Sequence, residues 1–260
     1  DNSSPNFGVK SFDSDGFTLG AWSALNRSSE DHISWSWKET ADAGFDIVTY
    51  TGTGSAHTIS HSLSAKPGFL MVKYRSGTAN GQVWHKHLSD TGDKVLYIST
   101  THAEQDEIMF NDTEPTSSVF SVGAASETNT DDGTYVAYLW AEKQGYSKFG
   151  SYTGNGNADG TFVYTGFKPA FLLVKRTNTS GGNWWIWDNK REGYNAVNDN
   201  LYADVTNAED TSGRGVNLLS NGFKCITTDN GSNGSGNTYI YMAFAEAPFV
   251  NSNGVPCNAR

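Results

Sequence analysis

His85-Lys86-His87 places two imidazoles at alternate positions. On a strand that spacing turns both toward one face, a geometry found at metal sites. The matching stretch later in the chain reads Asp188-Asn189-Lys190, so the pair is no part of a shared scaffold and reads as two exposed strand histidines. His57 and His61 stand four apart among serines and threonines, which removes the helical basis for an i, i+4 ligand pair. Glu142 and Glu246 end two matching aromatic stretches, with Glu39 in a third; a carboxylate so repeated reads as an edge or turn residue binding backbone amides. Spacing alone brings no two carboxylates to the roughly 5–10 Å that glycoside hydrolysis requires. Asn129-Thr-Asp-Asp-Gly133 offers oxygens to calcium but lacks the closing glutamate of an EF-hand loop, and reads as a hairpin tip. The sequence contains no Gly-x-Ser-x-Gly elbow, phosphate-cradling loop or Cys/His nucleophile arrangement. The expectation is a non-enzymatic protein with no catalytic residue, metal or cofactor.

The aromatic residues carry more information. In Trp184-Trp185-Ile186-Trp187, strand alternation puts Trp185 and Trp187 on one face and Trp184 on the other. Trp187 matches Trp84 and belongs to a core. Trp184 and Trp185 have no matching tryptophans, and two readings stand: core packing, or a platform on which the CH face of a sugar ring stacks. Arg191, just beyond, reads as a local partner for a carboxylate and, on the second reading, as part of the same ligand-binding site.

These residues must be positioned by repeated elements. Lys66-Pro-Gly-Phe-Leu-Met-Val-Lys73 returns as Lys168-Pro-Ala-Phe-Leu-Leu-Val-Lys175, and Tyr50-Thr-Gly-Thr-Gly54 as Tyr152-Thr-Gly-Asn-Gly156, both at a spacing of 102. Thr134–Glu142 returns as Thr238–Glu246 at 104. Blocks repeated in one order at a nearly constant period mark a tandem duplication. The front of the chain carries a partial copy: Phe17-Thr-Leu-Gly20 aligns with Phe120-Ser-Val-Gly123, and His32–Glu39 with Tyr135–Glu142. The expected organisation is a partial, C-terminal-half repeat over 1–43, complete repeats over 44–145 and 146–250, and a tail over 251–260.

Within each copy, Phe69–Val72 and Phe171–Val174 are short apolar runs suited to strands buried on both faces, and Tyr135–Trp140 and Tyr239–Phe244 are aromatic, β-branched strands. The only helical turns expected are Ala103–Ile108 and Ala208–Asp210. Glycine makes up 28 of 260 residues, aromatics 13% and charged residues only 18%, against a usual value of about 25%. This composition predicts an all-β protein of two tandem, jelly-roll-like β-sandwich repeats preceded by the partial one. The net charge of −10 and the scattered basic residues predict no nucleic-acid partner. No apolar run approaches the roughly 18 residues of a membrane span, and the N-terminus has no signal-peptide pattern. Cys225 and Cys257 read as separate thiols.

Several longer motifs are family-like. Ser151–Asn157, Gly166–Arg176, Asp188–Arg191, Ser220–Phe223 and Thr238–Phe249, with Asp15–Gly20, Trp35–Lys38 and the Gly254–Arg260 ending, resemble a family of uncharacterised tandem β-repeat domains. That family recurs in structural and tail-fibre-like proteins of marine tailed phages. The resemblance implies a virion surface protein, a tail fibre or capsid appendage whose loops serve host attachment, and it transfers no catalytic residue. The alternatives are a lectin-like carbohydrate-binding module and, behind it, a glycan-degrading enzyme. Expected partners are further copies of the chain, other virion proteins and a host-surface glycan.

The partial copy is rich in large apolar side chains: Phe17, Leu19, Trp22, Ile33, Trp35 and Trp37. At about 1.5–3 kcal/mol each, their burial represents on the order of 10 kcal/mol, more than a two-stranded piece can realise alone. Phe17, Trp22, Trp35 and Trp37 are therefore expected to serve assembly into a homo-oligomer, a trimer in a fibre.

Overall fold

The computed structural model describes residues 8–246, and the expected tail 251–260, with Cys257, lies outside them. The chain divides into two compact units at Trp37/Lys38. In the first, β1 (Val9–Phe12) and β2 (Phe17–Leu19) form an antiparallel pair. Residues 31–39, expected to pair as a strand, lie outside any sheet, although side-chain burial alternates along them. The physical reason is local. In each complete copy the equivalent strand has a hydrogen-bonded neighbour on both edges, and among the described residues of the first unit no strand pairs with 31–39.

The second unit holds both complete copies. The first comprises β3 (Phe45–Thr51), β4 (His57–Ser60), β5 (Phe69–Tyr74), β6 (Gln82–His85), β7 (Lys94–Tyr97), β8 (Gln105–Asp106), β9 (Val119–Val122) and β10 (Thr134–Trp140). The second comprises β11 (Ser147–Thr153), β12 (Phe162–Tyr164), β13 (Phe171–Arg176), β14 (Trp184–Asp188), β15 (Leu201–Tyr202), β16 (Val216–Leu219), β17 (Gly222–Cys225) and β18 (Thr238–Phe244). The large sheets run β3-β10-β5-β6-β7-β8 and β11-β18-β13-β14-β15, the same order strand for strand apart from β8. Each is faced by a small sheet, β4-β9 or β12-β17-β16. The protein is thus all-β, with sandwich architecture. Neither expected helical turn forms. Gln105–Asp106 is strand, and among the described residues the helical pieces are a 3-10 turn at Ile108–Phe110 and α1 (Ser126–Asn129).

Strand alternation builds one core per sandwich. In the first, Leu70, Val72, Trp84, Tyr135 and Leu139 meet Ile59, Phe120 and Val122. In the second, Leu172, Val174, Trp187, Tyr239 and Tyr241 meet Val163, Leu218 and Phe223. The opposite faces of the two large sheets are buried against each other. Phe69 of β5 meets Trp184 of β14 edge to face at 6.5 Å, and His85 meets Phe149 of β11 in the same way. Trp184 Nε1 donates to the Tyr97 carbonyl at 2.8 Å, and Glu104 N–H donates across to the Thr177 carbonyl. Four layers result, with the large sheets in the middle, and this is why all six residues of β13 are buried.

Candidate functional site

The structure relocates most of the residues singled out by sequence. Trp184 is 1% exposed, wedged between the large sheets, and Trp185 is 3% exposed in the second core, stacked on Trp187 at 5.5 Å. Neither ring can receive a sugar, so the platform reading is corrected and the core reading stands. Arg191 Nε meets Asp188 Oδ2 and its NH1 meets Glu209 Oε1, both at 2.8 Å, while NH2 donates to the Ile186 carbonyl. It pairs locally, with the end of its own strand and with Glu209. Phe17 and Trp22 are exposed, whereas Trp35 and Trp37 are half-buried.

His85 is not an exposed strand histidine. It is fully buried, with Nε2 at 3.2 Å from the Tyr241 carbonyl and Nδ1 accepting from the His87 N–H. Burial pushes its pKa down to about 3, which keeps the ring neutral. β6 ends at His85, so His87 leaves the strand and is exposed. His57 and His61 bond to nearby loop atoms. Glu142 accepts from the Phe149 N–H at 2.9 Å and pairs with Lys86 and Lys148. Burial raises its pKa, but these partners outweigh it and the net shift is downward. Glu246 instead binds Lys190 and Asn189, and Glu39 is exposed. Cys225 is a buried free thiol, pushed up to about 11 by burial. Among the described residues, no three His, Cys, Asp or Glu are grouped to hold a metal ion.

One end of each sandwich carries the same buried clasp. Asn129 and Asn233 are fully buried. Asn129 Oδ1 accepts from the Thr53 N–H, and its Nδ2 donates to the Ser55 and Gly123 carbonyls. Asn233 does the same for Asn155 N–H, Asn157 O and Thr227 O. The tyrosines that open the repeated Tyr-Thr-Gly-x-Gly blocks add a second tie. Tyr50 and Tyr152 donate to the Thr128 and Ser232 carbonyls and stack on Tyr135 and Tyr239 at 5.0 Å. The glycines of the motif are sterically required. A Cβ on Gly52 would stand 2.2 Å from the Thr130 carbonyl oxygen, and one on Gly154 2.4 Å from that of Gly234. The Asn129–Gly133 segment is thus a tied turn, as its hairpin reading implies.

Beside this clasp the two copies diverge. The ladders pair Phe69 with His85 and Phe171 with Asp188, so Tyr74 corresponds to Arg176 and Gln82 to Trp185. In the second copy the Arg176 guanidinium donates to the Thr179, Ser180 and Asn230 carbonyls. Trp185 lies so close to Gly231 that a Cβ there would come within 2.3 Å of the indole. The place is filled. In the first copy the equivalents of Arg176, Trp185 and Gly231 are Tyr74, Gln82 and Glu127, and a cleft of about 550 Å³ opens between Tyr74, Thr78, Asn80, Ser99, Glu127 and Thr130.

The cleft's polar groups are incompletely engaged. Tyr74 stacks one face on Tyr135 at 5.0 Å. Ser99 donates to Asn80 Oδ1 and Ser126 to Glu127 Oε2, and Glu127 Oε1 has no hydrogen-bond partner among the described residues. Outside the lining, the fully buried Gln82 donates to the Asn80 carbonyl, while its Oε1 has no partner. A second depression, in the second copy beside Tyr202 and Arg214, differs in this respect. There Asp210 accepts from Tyr202 and Arg214, Arg214 also meets Asp229, and Glu209 meets Arg191. Hydrogen bonds, first of all from Ser212, hold the Asp210 carboxyl down to about 2. Sequence reading passed over Tyr74 and Glu127. Their signal was a difference: each follows or lies near a repeated block yet changes type between the copies.

No curated protein and no solved structure matches the chain. Residues 1–248 match the family described as a domain of unknown function, DUF7483, and the chain belongs to that family.

Proposed function

We propose that the chain is a non-enzymatic structural module of a virion surface, in a tail fibre or capsid appendage, that presents its loops for host attachment. The observation that carries this reading is the fusion of two sandwiches through their large sheets. The buried ionisable and aromatic groups there, His85 and Trp184 among them, serve packing between sheets rather than a reaction. Such a block is rigid at its centre and variable in its loops, which suits a protein that must transmit position and display a contact surface. Imaging labelled particles by cryo-electron microscopy tests the placement. Density on the outer surface is expected, and an interior location overturns it.

Assembly belongs to the same proposal. Val9, Phe12, Phe17, Trp22 and Leu25 are all exposed, Phe12 by 88%, a concentration of apolar surface that marks an interface. The occupant we assign is another copy of the chain, in a trimer. Light scattering on the full chain and on one beginning at Lys38 checks this. The full chain should be trimeric and the shortened one monomeric, and a shortened chain that stays trimeric removes the role from this segment.

A further inference from the structure

We infer that the open cleft of the first repeat is a saccharide-binding site, with Tyr74 and Glu127 as its principal contacts. This gives the attachment reading a site and a ligand class, and rests on that reading for its biological setting only.

The internal duplication provides the control. Both copies keep the same clasp, the same stacked tyrosine pair and the same sheet order around this place. The second copy closes it with an arginine that donates to three backbone carbonyls. The first copy puts a tyrosine there and a glutamate where the second has Gly231, leaving about 550 Å³, within the usual range for small-ligand sites. The lining suits a ring carrying many hydroxyls. Thr78, Asn80, Ser99 and Thr130 are small polar side chains, Glu127 keeps one carboxylate oxygen free to accept, and Tyr74 adds an aromatic ring beside them. A single carboxylate among neutral groups does not make a cation site.

The test copies the natural plug. The full chain and the Tyr74→Arg variant are applied to an array of oligosaccharides ending in glucose, galactose, mannose or N-acetylhexosamine, and hits are titrated by ligand-observed NMR. Glu127→Gly, which copies the second repeat at that position, serves as a second variant. The wild-type chain should bind at least one saccharide, and each variant should weaken it tenfold or more with an unchanged melting temperature. A fold-independent reading comes from the ligand: its ring protons should show contact with the Tyr74 aromatic protons. Absence of array binding overturns the inference, as does binding that both variants retain, or binding of an arginine-containing peptide in preference to every saccharide. These results are separable from the virion placement. A chain found on the particle surface that binds no saccharide overturns this inference alone, and saccharide binding by a chain found inside the particle overturns only the placement.

Discussion

The first and second complete repeats share the order of five strands in their large sheets, the ladder register there and the buried asparagine clasp, yet they spend their interiors differently. The second is closed beside the clasp: Arg176 fills the loop end, Trp185 occupies its core, and Arg191 and Arg214 neutralise the nearby acids. The first is looser at the same places, with Tyr74, Gln82 and an open cleft. The lesson is that duplication separates what the fold requires from what is free to change. The clasp is required in both copies. The residues beside it are not, and there one copy has become packing while the other has kept an opening.

The comparison breaks first at the clasp, where the largest effect is expected. Asn129→Ala and Asn233→Ala each leave several buried backbone groups unpaired, at about 1–3 kcal/mol per group, so each should cost about 3 kcal/mol or more in urea unfolding. If one is tolerated within about 1 kcal/mol, the two clasps are not equivalent. The next test uses the fact that His85 and Asp188 occupy matching positions with different chemistry. Above pH 6.5 His85 is neutral in folded and unfolded chains alike, so it contributes no pH dependence. Below 6.5 only the unfolded chain takes up the proton, until the folded value of about 3 is reached. Stability should therefore fall with acidification, by about 3 kcal/mol at pH 4 relative to pH 7. His85→Gln should flatten that limb, and an unchanged slope would place the acid sensitivity elsewhere.

A smaller loss, about 2 kcal/mol, is expected from Arg176→Ala, because the three carbonyls it releases lie close to solvent and regain water. Thermal unfolding measures this, and a variant crystal should show the second repeat opening where the first already does. The smallest effect is at Gln82. Replacing it with methionine removes a buried oxygen that has no partner together with the amide that donates to the Asn80 carbonyl; the two effects oppose each other, and stability should stay within about 1 kcal/mol of the wild type. A loss of several kcal/mol would mean that Gln82 makes an interaction the first repeat's interior depends on.

Much of the architecture was legible in the residue order. Strand identity followed from alternation and from runs such as Phe69–Val72, which need only local backbone geometry to express themselves. The duplication was legible because repeated blocks are a property of the string itself. The pairing of Glu142 with a backbone amide and of Arg191 with a carboxylate was also within reach, since both partners lie a few residues away. What the string could not determine was which strand face meets which. Trp184 and Trp185 differ by one position and face opposite ways in either reading. Whether those faces meet solvent or protein depended on two large sheets, about a hundred residues apart in sequence, packing together. The same event buried His85, whose spacing from His87 suggested surface chemistry. For residues 31–39, the alternating pattern was present, but a strand exists only when neighbours supply the other half of its hydrogen bonds. Sequence determined the periodicities and the repeat. Tertiary structure decided burial, and with it which side chains remain available for chemistry, because availability is set by what packs against a residue from elsewhere in the chain.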